Sequence, residues 1–206
     1  RGLDGRNVRT KEVTLATALA DEQWDYVSFQ QQSGRSGIYA TWEKSLPALV
    51  EYVEARVPED AVMMLHQTWA YDQISKNKEF VRYDKDQMKM YNAIMDAVSR
   101  ASDMSGVRMV IPSGTAVQNA RTTSLVGLMC RDGYHLNKVY GRYVVACTWL
   151  YKVLGVNPIG NSYSPEGMTP QQKEFAQRAA YEAVKHPWKI TKLVDPNVVN
   201  VKVSPD

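Results

Sequence analysis

Apolar positions along the chain follow two rhythms: short runs of strand length, and longer stretches in which apolar residues recur every third or fourth position. The segments Trp24-Asp25-Tyr26-Val27-Ser28-Phe29-Gln30, Ala61-Val62-Met63-Met64-Leu65-His66 and Val107-Arg108-Met109-Val110-Ile111 are short and rich in apolar, β-branched or aromatic residues. Each predicts a buried strand. Helical spacing joins Val13, Leu15, Ala16 and Leu19, then Leu46, Leu49, Val50, Val53 and Val57, then Met88, Tyr91, Met95 and Val98, and finally Tyr140, Val144, Cys147, Tyr151 and Leu154. Punctuation agrees with these helices. Pro47 suits a first turn, Pro58 closes an element, and Gly106 and Gly155 stand just past helix ends. Thr169-Pro170-Gln171-Gln172 combines a cap, a first-turn proline and a capping-box glutamine, which predicts a last helix to about residue 185. A short helix or turn is expected over 115–121, and 198–203 alternates like an edge strand.

Strands alternating with helices across short links predict an α/β fold with a mostly parallel central sheet covered on both faces. The whole of 1–206 reads as one domain with a C-terminal tail from 188. Three strands are few for a doubly wound domain of this length, and a further strand is expected upstream of Arg1. Polar residues gather where strands end. Gln30, Gln31 and Ser33 follow the first strand, and His66, Trp69 and Tyr71 follow the second. Open α/β sheets place their ligand sites at that edge.

Composition narrows the partners. The 206 residues are 44% hydrophobic, enough for one sizeable core, and a net charge of +3 from 25 basic and 22 acidic residues in mixed order forms no basic stripe. Neither nucleic acid nor an anionic membrane is implied, and no apolar run approaches the ~20 residues of a membrane span. The 2 cysteines, Cys130 and Cys147, lack zinc spacing and are either buried thiols or one bridge. The 3 histidines lie far apart and no glycine-rich phosphate loop follows a strand, so no metal or cofactor is expected. Small molecules or glycans remain. The chain starts at Arg1 without an initiator methionine, which suggests a processed secreted protein or a fragment.

The chemistry-bearing stretch is Cys130-Arg131-Asp132-Gly133-Tyr134-His135. Its glycine allows a tight turn that brings Asp132 and His135 to one side. An imidazole oriented by a carboxylate is a general base poised near neutral pH. The plainer alternative is that Asp132 caps a following helix and His135 is an ordinary polar residue in its first turn.

Four texts together resemble a known family: Phe29-Gln30-Gln31-Gln32-Ser33, His66-Gln67-Thr68-Trp69-Ala70-Tyr71, Ile111-Pro112-Ser113-Gly114-Thr115-Ala116 and Arg131-Asp132-Gly133-Tyr134-His135-Leu136. With the α/β order and the late D-x-x-H, they resemble a bacterial branch of the SGNH (GDSL-like) hydrolases over most of the chain. The resemblance implies a flavodoxin-like three-layer sandwich and ester hydrolysis, here of an acylated carbohydrate, outside the cytoplasm or at the cell surface. It implies His135 as base and Asp132 as its orienter. The family's oxyanion asparagine is absent, and Gln30 and Gln31, which end the matching strand, carry amides that could serve in its place; Ser33, His66, Trp69 and Tyr71 are the substrate-binding candidates, the plainer alternative being that His66, Trp69 and Tyr71 belong to the core or its border. The family's nucleophile block, G-x-S or G-N-S after a first strand, does not precede Trp24. Gly160-Asn161-Ser162 has those letters, but Asn157-Pro158 breaks any strand before it and Pro165 follows it, so it reads as a loop and the serine is expected upstream of Arg1, the alternative being a circularly permuted block with Ser162 as nucleophile.

Overall fold

The structure, a computed structural model, describes residues 13–124 and 127–193. Its centre is a three-stranded parallel sheet in the order β1-β2-β3, formed by Tyr26–Phe29, Val62–His66 and Met109–Ile111. Phe29 pairs with Leu65 and His66 with Ile111, so all three strands end at one edge. Consecutive parallel strands require a crossover, and helices supply each one.

Helices α1 (Leu15–Leu19), α2 (Tyr39–Glu43), α3 (Leu46–Glu54) and α4 (Gln87–Ser105) come from the first half of the chain, and α5 (Ser113–Ala120), α6 (Tyr140–Leu154) and α7 (Pro170–Lys185) from the second. The sheet separates two cores. On one side Phe29, Leu65 and Val110 pack with Trp42, Val50 and Val53 of α2 and α3 and with Met90, Ile94 and Val98 of α4. On the other, Phe175, Ala176, Ala179, Ala180 and Ala183 of α7 meet Ala116, Val117 and Ala120 of α5 and Tyr143, Val144 and Cys147 of α6. Alanines spaced on one face of α7 let α5 approach closely enough for Asn119 Nδ2–H to donate to the Ala179 carbonyl at 3.2 Å. This is the parallel sheet covered on both faces that the strand and helix order predicts, and it is consistent with the flavodoxin-like sandwich that the resemblance implies.

Several helix ends obey local rules. Thr169 and Gln172 form the expected capping box, Asp86 caps α4, and Gly106 and Gly155 close α4 and α6 in the left-handed region. Helix α2 has no clear apolar rhythm in the sequence; tertiary packing creates it, by burying Trp42 and tying its indole N–H to the Ser36 carbonyl at 2.9 Å. The tail does not begin free at 188. The Thr191 N–H donates to Asn119 Oδ1, the Leu193 N–H to Thr122 Oγ1, and Leu193 is buried in the second core. The alternating stretch 198–203 lies outside the described residues. Cys130 and Cys147 are free, buried thiols. Burial, reinforced by the Asp72 carboxylate, pushes Cys130 up to about 12.

Candidate active site

Residues 129–137 fold back on themselves after α5. Cys130 and Leu136 form an antiparallel bridge, the Arg131 N–H donates to the His135 carbonyl, and the Asn137 N–H donates to the Met129 carbonyl. Gly133 sits in this turn at φ +87°, and a Cβ there would lie 2.8 Å from Ser75 Cα. Only glycine meets both demands. The Asp132 carboxylate then does two things: Oδ1 accepts from the N–H groups of Tyr134 (3.2 Å) and His135 (2.8 Å), and Oδ2 accepts from His135 Nδ1–H at 2.7 Å. These bonds hold Asp132 down at about 2, the His135 side chain contributing most. Asp132 caps a turn rather than a helix; the turn leading into α6 is held separately by Asn137, whose Oδ1 accepts from Val139 and Tyr140 N–H. With Nδ1–H committed to the carboxylate, His135 Nε2 is the basic nitrogen. It has no hydrogen-bond partner among the described residues, and the side chain is 53% exposed.

The loop after β2 fixes this turn to the sheet edge. Trp69 Nε1–H donates to the Tyr134 carbonyl at 2.8 Å, the Asp72 N–H donates to the Gly133 carbonyl at 2.8 Å, and Asp72 Oδ2 accepts from the Cys130 N–H at 2.8 Å. Asp72 Oδ1 is paired with Arg121 at 2.6 Å, both side chains almost wholly buried, and Arg121 also donates to the Ala70 carbonyl and Gln118. Asp72 and Arg121 are thus the supports of the dyad. Sequence pattern alone did not single them out; the signal was an acid ending the polar stretch after the second strand, with no local partner to explain it.

The other predicted site residues divide into two groups. Gln30 is exposed and Trp69 and Ser33 half-buried, all at the sheet's carboxyl edge. Tyr71 is fully buried, packed on Phe80 and Tyr134 with its hydroxyl 3.0 Å from Ser33 Oγ, so it braces the loops and offers no face to a ligand. His66 is also buried, flanked edge-on by Trp69 and Trp149, and burial lowers it to about 4. Gln31 is occupied: Nε2 donates to the Thr41 carbonyl and hydroxyl, and Oε1 accepts from the Gln32 N–H. Ser162 makes no hydrogen bond with His135. Its turn is held on α7 by Gln177, which bonds the Gly160 N–H and the Asn161 carbonyl. Beside the edge lies a polar cleft of about 350 Å³ lined by Gln31, Gln32, Arg35, Asn77, Lys78 and Glu79. Among the described residues no cluster of three or more acidic, histidine or cysteine side chains is arranged to hold a metal, and no helix is long and apolar enough to cross a membrane.

Fold and site together define an α/β sandwich that carries an exposed acid–histidine pair at the carboxyl edge of a parallel sheet. The model of the family described as a domain of unknown function, DUF4886, matches residues 1–183, and the chain belongs to that family. It is similar to a crystal structure of a DUF4886 family protein from Bacteroides uniformis at 48% identity and a TM-score of 0.88, over 92% of this chain and 73% of that one. No curated protein matches.

Proposed function

We propose that this protein is an ester hydrolase of the SGNH type acting on an acylated carbohydrate, with His135 as general base and acid and Asp132 orienting it. The observation that carries this is the 2.7 Å bond from His135 Nδ1–H to Asp132 on an exposed side chain whose Nε2 is open. A hydroxyl placed at Nε2 would lose its proton to the ring as it attacks a carbonyl, and the ring would return that proton to the leaving alcohol. The hydroxyl is a serine outside the described residues or a water molecule. A cleft at the sheet edge lined by polar and charged side chains, Gln31, Gln32, Arg35, Asn77, Lys78 and Glu79, supports a hydroxyl-rich substrate. Such a substrate suits a bacterial protein of the cell surface or periplasm.

The test is hydrolysis of 4-nitrophenyl acetate and of acetylated xylo-oligosaccharides by the wild type, His135→Ala and Asp132→Asn. Expected losses in kcat are about 10²–10⁴-fold for either substitution. Labelling by a fluorophosphonate distinguishes a serine from water. Equal rates in all three proteins would sink the assignment. Among the described residues no serine hydroxyl bonds His135 Nε2, which favours one other reading, a carbohydrate-binding domain without turnover. Calorimetry showing that acetylated oligosaccharides bind but are not hydrolysed would establish it.

A further inference from the structure

Each of the three strands ends in one member of a hydrogen-bonded chain that the His135–Asp132 pair does not use. Gln30 follows β1, His66 closes β2, and Ser113 opens α5 two residues after β3. His66 Nδ1 lies 2.6 Å from Gln30 Oε1, and His66 Nε2 lies 2.8 Å from Ser113 Oγ. An amide oxygen only accepts, so Nδ1 carries the ring proton, Nε2 accepts, and the Ser113 hydroxyl donates. Ser113 has no exposed surface and His66 only 8%, so the chain is anchored inside the protein and surfaces at Gln30. With Oε1 turned inward, the Gln30 NH₂ group is left without a hydrogen-bond partner among the described residues. Its neighbour Gln31 has both ends of its amide engaged.

We infer that Ser113 and His66 are positioning residues that hold the Gln30 carboxamide with its oxygen inward and its NH₂ presented at the site edge, making Gln30 the fixed donor to a substrate carbonyl oxygen. The donor role rests on the ester-hydrolase reading; the relay does not. A flexible exposed glutamine would have to be ordered as negative charge builds on that oxygen, whereas one held from beneath is already oriented. Trp69 and Trp149 flank the imidazole edge-on, and Trp69 also donates to the Tyr134 carbonyl beside His135, so relay and base are braced by one side chain.

Nitrogen-15 NMR of the full chain tests the relay without any assay. His66 is expected in the Nδ1–H form at neutral pH with a slowly exchanging ring proton, and Gln30→Ala should expose that proton to exchange. An Nε2–H form, or a proton equally protected in Gln30→Ala, overturns the relay whatever the activity. Gln30→Glu tests the donor, since a carboxylate still accepts from Nδ1–H but offers no N–H outward. Its kcat should fall about 100-fold with KM changed less than about twofold. Ser113→Ala should lower kcat less than Gln30→Glu does, and Ser113→Thr, which restores a hydroxyl, should recover it. Undiminished kcat in Gln30→Glu overturns the donor role. An inactive wild type that shows the Nδ1–H form overturns the hydrolase reading and leaves the relay standing.

Discussion

His135 and His66 show how one side chain takes opposite parts in one fold. His135 is exposed, tied through Nδ1 to a carboxylate and open at Nε2, whereas His66 is enclosed by Trp69 and Trp149 and bonded at both nitrogens. The difference has a consequence for pH. His66 in the folded protein resists protonation down to about 4, against an ordinary value of 6.5, so between these values the unfolded chain binds more protons. Stability is therefore fully present above 6.5 and falls as the pH drops toward 4, by on the order of 3 kcal/mol. Urea denaturation at pH 7 and pH 4.5 should show this fall, and His66→Gln, which cannot titrate, should remove most of the difference. Asp132 acts in a lower window. Its stabilising contacts are intact above its ordinary 3.8 and are lost as the pH falls through about 2.

The turn 129–137 is the element on which the site depends, and its own bonds do not place it. It is fastened by Trp69 and Asp72 from the loop after β2, and Asp72 is in turn held by Arg121 at the end of α5. Asp72→Ala would leave Arg121 charged, buried and unpaired, and would orphan the Cys130 N–H, an expected loss of about 3–5 kcal/mol in chemical denaturation. Gly133→Ala should act more locally. It forces an L side chain into φ +87° and against Ser75, so the turn should shift and activity fall by at least about 10-fold, with a loss of stability of only about 1–3 kcal/mol. Activity and stability both unchanged in Gly133→Ala would show that the turn does not need this conformation.

At the scale of the molecule, the three-stranded sheet of the described residues relies on helices covering both faces, so the two cores should fail together. Phe175→Ala, in the core on the α5–α7 side, should cost about 3–5 kcal/mol, and tryptophan fluorescence and circular dichroism should still report one coincident transition. Separate transitions would mean that the cores fold independently. The periodicity of Leu46, Val50 and Val53 and of Tyr140, Val144 and Cys147, the capping box at Thr169, and the strand runs ending at Phe29, His66 and Ile111 were legible in the sequence, because strand and helix period and cap chemistry act over a few residues. The Asp132/His135 pair was legible for the same reason: three residues and a glycine suffice to close that turn. Helix α2 was not, nor the docking of 188–193 along α5, nor which of the residues gathered at the strand ends, Tyr71 and His66 among them, are buried and which face solvent. The difference between Gln30 and Gln31 was equally hidden, since adjacent identical residues are told apart only by Thr41 on one side and His66 on the other. Sequence by itself determined the three strands, the helices other than α2, their α/β order and the acid–histidine turn, whose forces are local. Which side chains face solvent, which are braces, and how Gln30, His66 and Ser113 meet from three strand ends were decided only by tertiary structure, because those contacts join residues 36 and 47 positions apart whose proximity no local pattern encodes.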